Sequence, residues 1–119
     1  MNYLLVFVGG GLGSLCRFGI SNLTTTFFPI HFPLATLISN ILACILMGVT
    51  IILFKEKSSF TEWNIFLITG FCGGFSTFST FSLETVQLIQ TNNYLWAGLN
   101  ILISILTCIF ILYMLLKFK

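Results

Sequence analysis

The chain has 119 residues, 57% of them hydrophobic and only 7% charged, with a formal net charge of +2. A soluble domain carries roughly 25% charged residues, so this chain lacks the polar side chains to cover a water-facing surface. That excludes a soluble enzyme or nucleic-acid binder and predicts an all-α integral membrane protein forming a single domain over residues 1–119.

The first apolar run is predicted to span residues 3–23 and is interrupted only by Arg17. It lacks the basic start and small-residue cleavage site of a signal peptide, so it reads as a permanent helix. Its "GGGLGS" (9–14) imitates a dinucleotide loop, but Ser14 stands where the third glycine belongs and no strand precedes it. Gly9 and Gly13, four apart, read instead as a close helix-packing face. Pro29 and Pro33 punctuate the first connection around His31. The second span, residues 34–54, is free of charge and places Thr36 and Asn40 one turn apart. Lys55, Glu56, Lys57, Ser58 and Ser59 make the second connection.

The third span is predicted over residues 63–90, with Trp63 at its start and Glu84 near its end. Gly70 and Gly74 repeat the four-residue glycine spacing. The stretch "GFCGGFSTFSTF" (70–81) is a poor continuous helix: Gly73 and Gly74 are followed by five polar residues in seven. Interrupted helices survive at membrane depth only inside protein or against a wet cavity, and an interruption frees backbone carbonyls for cations and N–H groups for anions. The expected break lies about 15 Å past Trp63, near the bilayer midplane, at 1.5 Å per residue. The competing reading is a kinked packing helix whose hydroxyls bond their own carbonyls. Phe78 and Phe81 share a face. Residue chemistry alone reads them as packing, although ring edges turned into a path would favour an anion.

After Thr91, Asn92 and Asn93, the fourth span is predicted over residues 94–116, with Tyr94 and Trp96 anchored at the interface. Asn100, Ser104 and Cys108 recur every four residues along one face. They are either interhelical glue or the wall of a polar path. The four cysteines, Cys16, Cys44, Cys72 and Cys108, show no CxxC spacing and read as reduced, space-filling side chains. Arg17 and Glu84 fall toward the same membrane side, which permits either an ion pair or an arginine that draws anions to a vestibule.

Taken together, "GGGLGSLCRF" (9–18), "PLATLISN" with Gly48, and "GFCGGFSTFSTFSLE" (70–84) resemble the Fluc (CrcB) fluoride ion channels over the full length and all four spans. The resemblance implies a fluoride-selective channel in the cell membrane that exports fluoride passively and protects against it. It implies an antiparallel, dual-topology-type dimer with a structural sodium ion at its centre, held by backbone carbonyls of the broken third helix. Those carbonyls map to Gly73 and Ser76. The ion pathway maps to Asn40, Phe78, Phe81, Ser79, Thr80, Ser104 and Arg17, with Asn100 and Cys108 completing the fourth-helix track. This chain has Ser76 where threonine is usual and Ala35 where glycine is common.

Lys55, Lys57, Lys117 and Lys119 share one predicted side and only Arg17 the other, which places both termini in the cytoplasm under the positive-inside rule. The partner is either an identical chain or an oppositely oriented sibling. The alternative function is a small four-helix proton-coupled multidrug exporter. That chemistry needs a carboxylate deep in the membrane, and the only carboxylate within a span is Glu84, near an interface.

Overall fold

The computed structural model describes residues 1–30, 32–56 and 60–117. His31, Lys57, Ser58, Ser59 and Lys119 therefore lie outside the described residues, and with them half of the lysine asymmetry. The described chain is helical: α1 (Asn2–Phe27), α2 (Leu34–Phe54), α3 (Phe60–Trp63), a π-helical segment (Asn64–Cys72), α4 (Gly73–Phe75), α5 (Phe78–Gln90) and α6 (Tyr94–Lys117). These make four helical stretches long and apolar enough to cross a membrane, the third being Thr61–Gln90. The molecule is a multi-pass membrane protein, 51 × 31 × 23 Å in extent.

α1 runs on to Phe27, past the expected end at residue 23. Its polar tail stays helical because the threonines serve the helix's own carbonyls. Thr24 Oγ1 donates to Ile20 O at 2.7 Å and Thr26 Oγ1 to Asn22 O at 2.8 Å. The turn after α5 has a matching local cause. Asn92 adopts φ 60°, and the N–H groups of Asn92 and Asn93 return to the carbonyls of Ile89 (3.0 Å) and Leu88 (2.8 Å). This is a Schellman-type end, with asparagine tolerating the left-handed position.

Packing is inside-out relative to a soluble bundle. Ser39, Ala43, Thr50, Cys72 and Asn100 are buried, while Leu102, Leu106, Ile109 and Phe110 face outward. Lipid tails are as apolar as leucine, so helices associate through small residues that let backbones meet. The two glycine pairs do this against each other. A methyl added at Gly70 would stand 3.1 Å from Gly9 Cα, and one at Gly74 would strike the Gly10 carbonyl. A methyl at Gly13 would strike the Phe71 carbonyl. The π-winding lies along this contact.

Gly13→Ala is therefore expected to push α1 off the third span and cost about 1–3 kcal/mol. Gly98→Ala, whose new methyl meets nothing within 4 Å, is expected to leave thermal unfolding in detergent unchanged or slightly raised. Equal unfolding temperatures for the two variants would refute this account of the glycine face.

Candidate functional site

The third span changes conformation in its middle. Helical backbone stops after Phe75 and resumes at Phe78. Between them Ser76 (φ −77°, ψ 157°) and Thr77 (φ −154°, ψ 117°) are extended. Side chains take over the backbone bonds there. Asn40, on α2, accepts from the Thr77 N–H at 2.8 Å through Oδ1, and its Nδ2 donates to the Thr77 carbonyl at 3.5 Å. Thr77 Oγ1 caps α5 by accepting from the Thr80 N–H at 3.2 Å, and it donates to Thr80 Oγ1 at 3.0 Å.

The consequence falls on two carbonyls. In a continuous α-helix the Thr77 N–H would serve Gly73 O, and the Thr80 N–H would serve Ser76 O. Both donors are turned elsewhere, to Asn40 and to Thr77. Gly73 lies at the protein surface, with only the Ile68 carbonyl within 4.0 Å of a would-be Cβ. Carbonyl oxygens left in this way suit a small hard cation, so the two positions fit the sodium that the resemblance implies.

Beside the break lies a groove of about 240 Å³. Asn40 and Cys44 line it from α2, Ser76 and Thr77 from the extended pair, Phe78 and Phe81 from α5, and Ser104 and Cys108 from α6. The two phenylalanine rings are 5.5 Å apart and inclined by 37°. Their surroundings differ: Phe78 is 77% exposed and Phe81 only 7%. The fourth-helix stripe divides its labour. Asn100 is buried and donates to Thr85 Oγ1 at 2.9 Å, tying α6 to α5. Ser104 lines the groove and donates to Asn100 Oδ1 at 3.3 Å.

A second cavity of about 220 Å³ contains Ser14, Arg17, Thr36, Ser39, Thr80 and Glu84 in its wall. Thr77 borders both spaces, so the Asn40–Thr77 clamp stands at their junction. Among the described residues Arg17 and Glu84 do not form an ion pair. Glu84 Oε1 accepts instead from Thr36 Oγ1 at 2.7 Å. Arg17 Nε, Ser39 Oγ and Glu84 Oε2 are buried without a protein partner. Buried groups of this kind are met by ordered water or an ion.

Of the residues expected in an ion pathway, Asn40, Phe78, Phe81 and Ser104 share the groove, and Arg17 and Thr80 share the second cavity. Ser79 lines neither. It is exposed, with its hydroxyl 3.3 Å from Thr77 Oγ1. One residue went unremarked in the sequence, and another was read there as space-filling. Thr77 is the centre of the break, and a threonine one position before an apolar helical run is a readable N-cap signal. Cys44 joins the groove wall, which its position one turn after Asn40 encodes.

Comparison with known proteins places the chain among relatives. The model of the "CrcB-like protein, Camphor Resistance (CrcB)" family matches residues 4–115. A protein from Coxiella burnetii named fluoride-specific ion channel FluC is 44% identical over 111 residues, covering 92% of this chain and 90% of its own. One of the same name from Pyrococcus abyssi is 43% identical over 114 residues, covering 93% and 89%. Another from Azobacteroides pseudotrichonymphae is 47% identical over 104 residues, covering 86% and 82%.

Proposed function

The chain belongs to the CrcB-like family, and from that premise we propose that it is a fluoride-selective channel that lets fluoride leave the cell passively across the plasma membrane. The observation that carries this reading is the convergence of Asn40, Phe78, Phe81 and Ser104 on one groove beside the extended pair. A passive anion path needs donors that are present but weak, in a space that excludes bulk water. Asn40 and Ser104 supply polar groups, the phenylalanine edges carry partial positive charge, and the N-terminus of α5 at Phe78 turns the positive end of its dipole to the same place.

The midpoint of Thr61–Gln90 falls between residues 75 and 76, beside the extended pair, which supports a position near the bilayer midplane. Gly73 and Ser76 would hold a sodium ion there through their carbonyls, and the ion would supply fixed positive charge at the junction. An antiparallel dimer completes the arrangement. Phe78, 77% exposed at the groove, has a wall on one side only, and a second chain would provide the other. Lysines at positions 55, 57, 117 and 119 bias the chain to one orientation with both termini in the cytoplasm, which favours an oppositely inserted sibling over an identical partner.

Efflux from liposomes tests the function. Purified chain, alone or with the candidate sibling, is expected to release fluoride rapidly and chloride negligibly. Equal release of both ions would exclude a fluoride-selective channel. Full activity of the chain alone would remove the need for a sibling and establish the homodimer.

A further inference from the structure

Two thiols meet in the groove. Cys44 follows Asn40 by one turn of α2, and Cys108 follows Ser104 by one turn of α6. α2 and α6 are separated by a single returning span, so they run in the same direction, and they pack together. The two four-residue steps therefore advance side by side. All four residues line the same space. Cys44 and Cys108 are both free thiols. Neither of the other cysteines lines this wall. Cys72 is fully buried and donates to the Ala43 carbonyl at 3.5 Å, and Cys16 is exposed on α1.

We propose that Cys44 and Cys108 form a two-thiolate site for a soft d10 cation of the Hg2+ class, and that filling it obstructs the groove. The obstruction rests on reading the groove as the ion path; the site itself does not. Soft cations select thiolate over oxygen donors, so the hard oxygens of Asn40 and Ser104 one turn away do not compete. On binding, each S–H gives its proton to water and each sulfur donates an electron pair to the metal. Two S–Hg bonds form, two protons leave, and nothing is oxidised or reduced. The product is neutral, which matters in a wall shared with Phe78, Phe81 and Ile105, because an uncompensated charge is costly in apolar surroundings. Fluoride, a hard anion, does not strip a soft cation from sulfur.

The test uses mercuric chloride on the purified full chain in a Cys16→Ser background. Binding is followed by the sulfur-to-mercury ultraviolet absorption, and fluoride efflux is measured on the same protein in liposomes. The absorption is expected to saturate at one metal ion per chain. Cys44→Ala or Cys108→Ala is expected to weaken it by about tenfold or more. Mercury is expected to stop efflux in the background protein and to inhibit each variant far less, every variant being compared with itself before addition. Serine versions of both positions run alongside, so that a variant that fails to fold is replaced by one that retains a polar atom. Unchanged mercury affinity in the folded single variants would overturn the site. Affinity lost in the variants, together with efflux indifferent to mercury in the background protein, would overturn the obstruction and count against this groove as the path.

Discussion

Asn40→Asp is expected to abolish fluoride efflux while leaving the protein folded. The side chain holds the break by two bonds to one residue, accepting from the Thr77 N–H at 2.8 Å and donating to its carbonyl at 3.5 Å. Aspartate keeps the acceptor, so the Thr77 N–H remains paired and the extended backbone stays in place. It loses the donor and adds a negative charge to the groove wall. A like charge about 6 Å away costs an anion about 3 kcal/mol at an effective dielectric constant of about 20, a slowing on the order of 100-fold. Asn40→Ala separates the two roles. It adds no charge but leaves the Thr77 N–H without its acceptor, at a cost of about 1–3 kcal/mol. Its signature is a lowered unfolding temperature in detergent. An aspartate variant that conducts as the parent does would remove Asn40 from the ion path and leave it a purely structural clamp.

The same residue shows what was legible in the sequence. Four apolar runs predict four helices, and four stretches long and apolar enough to span are found among the described residues, because length and hydropathy decide membrane spans almost alone. The glycine spacing in "GGGLG" and "GFCGG" predicts close approach, and the two sets meet each other. In the third span, sequence reasoning assigned the weakness to the hydroxyl residues from Ser76 onward and to Gly73 and Gly74. The backbone continues helically through both glycines, Gly74 serving as a contact surface for α1 at Gly10. It turns extended only at Ser76 and Thr77, where Asn40 and the Thr77 hydroxyl supply substitute bonds. Glycine permits a departure from helix, whereas a partner from another element decides where it happens.

What stayed hidden was whatever depends on a neighbour. The π-winding of Asn64–Cys72 has no signature in "NIFLITGFC", since it follows the surface of α1 against which the segment lies. The stripe of Asn100, Ser104 and Cys108 looked uniform in spacing, yet Asn100 is spent on Thr85 and only the lower two reach the groove. Cys44 and Cys108 looked like filler in two apolar runs. Only the parallel course of α2 and α6 brings them to one groove. The bond from Thr36 to the Glu84 carboxylate likewise has no signature in the sequence.

Phe78 and Phe81 are the residues whose chemistry gave the least warning of a role, and their different burial makes the last prediction discriminating. Phe78→Ile is expected to reduce fluoride efflux about tenfold, since an aromatic edge contributes about 0.5–1.5 kcal/mol that an aliphatic chain does not replace. It should leave unfolding of the chain nearly unchanged, because the ring is 77% exposed and packs mainly against Phe81. Phe81→Ile is expected to show the same loss of flux together with a lowered unfolding temperature. Its ring is 7% exposed, and shrinking a buried side chain leaves a cavity costing about 1 kcal/mol or more. The proposed dimer should persist in both. If the rings serve only as packing, the pattern inverts: Phe81→Ile loses stability, and both variants conduct at the parent rate. A path lined by ring edges instead requires that the exposed ring, which contributes little to the fold of one chain, matter as much to flux as the buried one.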